Sequence, residues 1–232
     1  MKRKSGTGKA RKAILFELEN VGLSGHRLAY EAYRAAFKAK NIELPPTLFS
    51  RFCLGNAAKK AVPQVLKWAG KERLSVERLV ADVHAATKEA FSATGLKLDA
   101  ALKRILEAAP ARGIHLGAWS ALEKPLCDQL AAALGIKEIG VQVYAHPNDE
   151  RAAGGTDGWL KLARMLSIEP TYCVCLATSE PSTRAALAAH MRCVAIPTAF
   201  TAFADFGGAD YLLASLGDLK VDTLLAMLEP SW

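Results

Sequence analysis

Long apolar runs are the first thing this 232-residue chain lacks. None approaches the roughly 18 residues that a membrane-spanning helix needs, and the N-terminus has charge where a secretory leader has an apolar stretch. The expectation is a cytoplasmic protein with no membrane partner. Cysteine is sparse and odd in number, with five residues at Cys53, Cys127, Cys173, Cys175 and Cys193 and no C-x2-C pairs, which excludes a disulfide framework and a zinc site. Reduced, packed thiols are expected. Aromatic residues make up 7% and rarely interleave with basic ones, so base stacking on nucleic acid has little support. Gly6-Thr7-Gly8-Lys9 lacks the full phosphate-loop spacing and has no strand before it.

Hydrophobic residues make up 51% of the chain, enough to bury the core of one large domain or of a domain with an insertion. The net charge is +7, but six positive charges and no acid fall among the first twelve residues, so subtracting them leaves +1 for the rest. Residues 1–12 therefore read as a basic, disordered arm, able at most to dock electrostatically on nucleic acid.

Ala13-Ile14-Leu15-Phe16-Glu17-Leu18-Glu19-Asn20 reads as a buried strand that delivers two carboxylates to its C-terminal end. Strand alternation predicts that Glu17 and Glu19 share a face opposite Phe16 and Leu18. A helical block follows. From His26 to Lys40, Tyr30, Tyr33 and Phe37 align on one helical face, and Pro63 begins or kinks a helix that runs through Trp68 and ends at Gly70. Ser75 is placed to cap a longer helix with Val76, Leu79, Val80, Val83 and Phe91 on its packed stripe. Residues 24–93 thus read as a four-helix insertion.

From about residue 94 helices alternate with short apolar strands: helix 100–109, strand 114–119, helix 124–134, strand 141–144, helix 157–166, strand 171–176, helix 182–191 and strand 193–196. Such alternation predicts an α/β, doubly wound parallel sheet with right-handed crossovers. Ligand sites in these sheets lie beyond the strand C-termini, so residues after Leu18, Trp119, Tyr144 and Leu176 should converge.

The opening strand, the helical block and the closing segment Ala209-Asp210-Tyr211-Leu212-Leu213-Ala214-Ser215-Leu216 resemble the haloacid dehalogenase (HAD) superfamily, in its β-phosphoglucomutase-like phosphatase branch. The resemblance covers residues 12–220. It implies a HAD-like, Rossmann-like core at 13–23 and 94–232 with an inserted helical cap at 24–93. In the family, the first carboxylate of the opening motif attacks phosphorus and the second acts as general acid and base. These positions hold Glu17 and Glu19 here, where the family has aspartates. The extra methylene shifts each carboxylate by about 1 Å, enough to cost roughly a hundredfold in a position-dependent reaction.

Ser120, in Gly117-Ala118-Trp119-Ser120, matches the family's phosphate-binding hydroxyl, and it reads equally as the cap of helix 124–134. The family's lysine position falls on Ala153, with Arg151 a nearby substitute and candidate substrate contact. The magnesium-holding carboxylates align with Ala177-Thr178-Ser179, so Thr178 stands where an acid belongs.

The resemblance therefore implies a degenerate site with vestigial positions Glu17, Glu19, Ser120, Ala153 and Thr178. A cleft with acids but neither lysine nor metal would repel a phosphate dianion. The expected function is a non-catalytic binding or assembly subunit whose partner is another protein or a second copy, with no cofactor. The alternative is a divergent HAD hydrolase using Glu17, which would need magnesium.

Overall fold

The structure is a computed structural model that describes residues 11–145 and 155–228. The chain opens with strand β1 (Lys12–Glu17), which passes directly into a short helix α1 (Leu18–Gly22). Helix α2 (Gly25–Lys38) follows, then a single turn α3 (Pro46–Leu48) that runs into a π-helical turn at Phe49–Cys53, then α4 (Ala58–Trp68), α5 (Val76–Ser92) and α6 (Ala100–Ala108). Strand β2 (Ile114–Ser120), α7 (Lys124–Ala133), β3 (Val141–Ala145), α8 (Thr156–Leu166), β4 (Cys173–Ala177), α9 (Glu180–Ala188), β5 (Arg192–Ala195), β6 (Tyr211–Leu212) and α10 (Val221–Ala226) complete the order.

The strands form one six-stranded sheet in the order β3-β2-β1-β4-β5-β6, with every pairing parallel. β1 sits in the interior of the sheet and all six of its residues are buried. That burial explains its near-continuous apolar composition, since a parallel strand covered on both faces has no solvent side to mark with polar residues. Its alternation divides two cores. Ile14 and Phe16 join Leu102, Ile105 and Leu106 on one face, and Ala13 and Leu15 join Trp159, Leu162 and Leu166 on the other. A third apolar cluster lies among the helices between β1 and β2, built on Tyr33, Phe37, Phe49, Val62, Val65, Leu66, Leu79 and Val83.

The doubly wound parallel sheet matches the sequence reading, with local corrections. Lys12, assigned to the arm, is the first residue of β1 and is buried. Residues 1–10 of that arm lie outside the described residues. The strand expected at 171–176 begins at Cys173, because Pro170–Tyr172 forms a 3-10 turn in which the proline ring fixes the first dihedral. Pro63 lies inside α4, and Ser75 caps α5 by accepting from the Arg78 amide at 3.2 Å. Cys173 and Cys175 pack in the same apolar cluster, and burial pushes the Cys173 thiol up to about 12. Among the described residues no helix is long and apolar enough to cross a membrane.

Gly158, on the first turn of α8, is set by a neighbour rather than by its backbone. A Cβ there would lie 2.4 Å from Trp119 Nε1 and 2.9 Å from Cδ1 of the same indole, which is itself buried. Gly158→Ala should therefore destabilise the chain by about 1–3 kcal/mol, the usual cost of overpacking a filled core. Chemical denaturation with an unchanged m-value checks this; an unaltered midpoint would show that the indole is free to move.

Candidate functional site

The C-terminal ends of β1, β2 and β4 lie side by side and bring the predicted carboxylates to the predicted partners, though not by the expected route. β1 ends at Glu17, and the chain turns helical at Leu18, so Glu19 belongs to α1 and not to the strand. The predicted common face is therefore incorrect: 3.6-residue periodicity takes over at the carboxylates, and they diverge. Glu17 reaches toward β4 and Glu19 toward β2.

Glu17 is 2% exposed. Its Oε2 accepts from the Thr178 hydroxyl at 2.5 Å and from Asn20 Nδ2 at 3.0 Å, and its Oε1 accepts from the Thr178 amide at 3.2 Å. Glu19 is 5% exposed, and three donors converge on its Oε1: the Ser120 hydroxyl at 2.5 Å and the amides of Ala121 at 2.9 Å and Leu122 at 3.1 Å. Backbone N–H groups paired with a hydroxyl form a concave anion receptor, and here the anion is the chain's own side chain. Burial raises the Glu19 carboxyl above the usual glutamate range, opposed by the Ser120 hydroxyl and the backbone amides.

Ser120 does not cap α7 as the capping reading expected. Helix α7 starts four residues later, behind Glu123, and Ser120 Oγ instead accepts from the Leu122 amide at 3.1 Å. Thr178, aligned in the sequence with a metal-holding position, donates to Glu17, and Ser179 caps α9 with Pro181 in its first turn. Ala153 and Arg151 lie outside the described residues, as does the segment directly after β3.

A second polar chain, absent from the sequence reading, joins the same site from the loop after β5. Thr201 Oγ1 donates to the Thr178 carbonyl at 2.7 Å and accepts from the Thr198 amide at 2.8 Å. Thr198 Oγ1 lies 2.9 Å from Nδ1 of His26 at the start of α2. Burial lowers the His26 pKa, partly offset by the negative charge of Glu17. Between these threonines, Phe200 packs on Tyr30 and Phe49 with centroid separations of 5.2 and 5.4 Å. The signal for these residues was available, since the rule that sites lie beyond strand C-termini applies to β5 as well as to the other strands.

Between this floor and the helical block lies a cleft of about 520 Å³, lined by Glu17, Glu19, His26, Tyr33, Phe49 and Trp119 among others. The donor set among the described residues does not fit magnesium. The residue directly after β4 is Thr178 and not a carboxylate, both Glu17 oxygens already accept hydrogen bonds, and among the described residues no three acidic, histidine or cysteine side chains are grouped to hold a metal.

A parallel sheet with one acidic residue at the end of its interior strand and a second in the helix that follows, and with a helical block inserted before the next strand, is the HAD-like architecture, and the comparisons agree. No family model matches the chain. Protein CbbY of Cereibacter sphaeroides is 24% identical over 216 residues, spanning 89% of this chain and 93% of its own. The crystal structure of CbbY from Rhodobacter sphaeroides in complex with phosphate aligns with a TM-score of 0.72 at 24% identity, covering 90% of this chain and 96% of that one. A predicted phosphoglycolate phosphatase from Haemophilus somnus aligns with a TM-score of 0.77 at 17% identity, covering 97% and 100%. The chain has a HAD-like fold.

The two halves of the Glu19 contact can be separated. Because folding raises its pKa, Glu19 contributes stability that is complete below the ordinary glutamate value and is lost as pH climbs through the raised one. Glu19→Gln keeps an oxygen for the three donors without a buried charge, so it should gain stability relative to the parent chain as pH climbs from the ordinary glutamate value through the raised one. Glu19→Ala strands those donors and should cost about 1–3 kcal/mol at about pH 5. Denaturant melts across pH read both; parallel curves for parent and Gln variant would refute the assignment.

Proposed function

We propose that this chain is a HAD-fold protein that has lost phosphoryl transfer and acts as a non-catalytic binding or assembly subunit, with another protein or a second copy as its partner. The observation that carries this reading is the Glu19 carboxylate seated on Ser120 Oγ and the Ala121 and Leu122 amides. Ser120 is the hydroxyl that the family resemblance assigns to an incoming phosphoryl oxygen, and the two amides flank it. An internal carboxylate at that place competes with every phosphate at an effective concentration no free ligand matches.

Three further features support it. Glu17, at the nucleophile position, is tied by Thr178 and Asn20, so attack on phosphorus would first have to break those bonds. The lysine position is Ala153 in the sequence, and the metal-ligand position is Thr178. Phosphoryl transfer relies on positioning and on neutralising charge, and both have been withdrawn.

Inorganic phosphate should give no binding heat with the parent chain, and p-nitrophenyl phosphate no turnover above background with or without magnesium. Glu19→Ala should acquire measurable phosphate binding, because truncation exposes the hydroxyl and the two amides. Turnover by the parent chain that disappears in Glu17→Ala would overturn the reading in favour of a divergent hydrolase.

A further inference from the structure

The cleft above the two carboxylates has a charge character that phosphate recognition does not explain. Among the described residues, no lysine or arginine lines it, while Glu17, Glu19 and Glu180 all do. Glu180 is partly neutralised by Arg184 at 2.9 Å, outside the cleft. Glu17 accepts hydrogen bonds only from Thr178 and Asn20, and the basic side chain nearest it among the described lining residues, His26, is shifted by burial toward its neutral form. A buried carboxylate without a countercharge is costly, and a cation entering the space above it would recover part of that cost.

The walls suit the same occupant. Tyr33, Phe49, Phe91 and Phe203 line the cleft, and aromatic faces attract organic cations as well as apolar bodies. Its volume of about 520 Å³ falls within the range of small-molecule sites.

We infer that this cleft binds a small organic cation, an ammonium whose charge faces Glu17 and whose apolar body lies against the aromatic wall. This deepens the proposed function, resting on its premise that phosphate is not the ligand. Glu19 Oε1 is already held by three donors from the turn after β2, which leaves Glu17, on the β4 side of the floor, as the group the ammonium faces.

The test is calorimetric titration of the full chain with three matched probes: phenethylamine as its hydrochloride, 2-phenylethanol and phenyl phosphate. The amine should bind at least about tenfold more tightly than the alcohol, and the phosphate should give no heat. Glu17→Gln should bring the amine down to the alcohol's affinity and leave the alcohol unchanged. Equal affinity for amine and alcohol, or no binding of either, overturns the cation assignment while leaving the loss of phosphoryl transfer intact. Binding of phenyl phosphate overturns the reading beneath it. If Glu17→Gln does not fold, the comparison of amine with alcohol on the parent chain decides alone.

Discussion

Three hydrogen bonds to one oxygen, Glu19 Oε1, set the character of this site. They join α1, directly after the interior strand, to the turn that closes β2, and they satisfy two backbone amides and a buried hydroxyl in one place. Buried donors must find acceptors, so the receptor would otherwise need water or a ligand anion. Glutamate can fill it because its extra methylene carries the carboxylate across to β2. The receptor is thereby a piece of internal structure, filled by the chain's own side chain.

The same logic extends to the other side of β1. Glu17 fastens to Thr178, whose carbonyl accepts from Thr201, and Thr198 continues the chain to His26 on the helical block. Phe200 fixes the loop's apolar side between Tyr30 and Phe49. Sheet, loop and helices are thus stitched together through the polar residues of the cleft floor. A cleft remains, with acidic groups in its floor and aromatic walls, suited to a ligand of opposite charge to a phosphate.

Much of this was legible in the sequence, for identifiable reasons. Alternating helices and apolar strands gave the parallel sheet because each periodicity was long enough to read, and Ser75 announced α5 by its place before an amphipathic run. The substitutions at Glu17, Glu19 and Thr178 were visible as residue types. The direction of Glu19 was not, because no local signal marked the change from strand to helix at Leu18, and one residue of error there moves the carboxylate to another strand. The short strand β6, which pairs through only Tyr211 and Leu212, is too brief to show a period. The role of Ser120 also depended on tertiary contact: a serine before a helix reads as a cap until a carboxylate from another element is seen beside it.

The measurement that bears most directly on the central claim is a crystal structure of the unmodified chain grown with magnesium and millimolar phosphate. The account predicts Glu19 Oε1 on the Ser120 hydroxyl and the Ala121 and Leu122 amides, with no anion between Glu17, Ser120 and Thr178. Phosphate seated on those donors, with Glu19 rotated away, would contradict it.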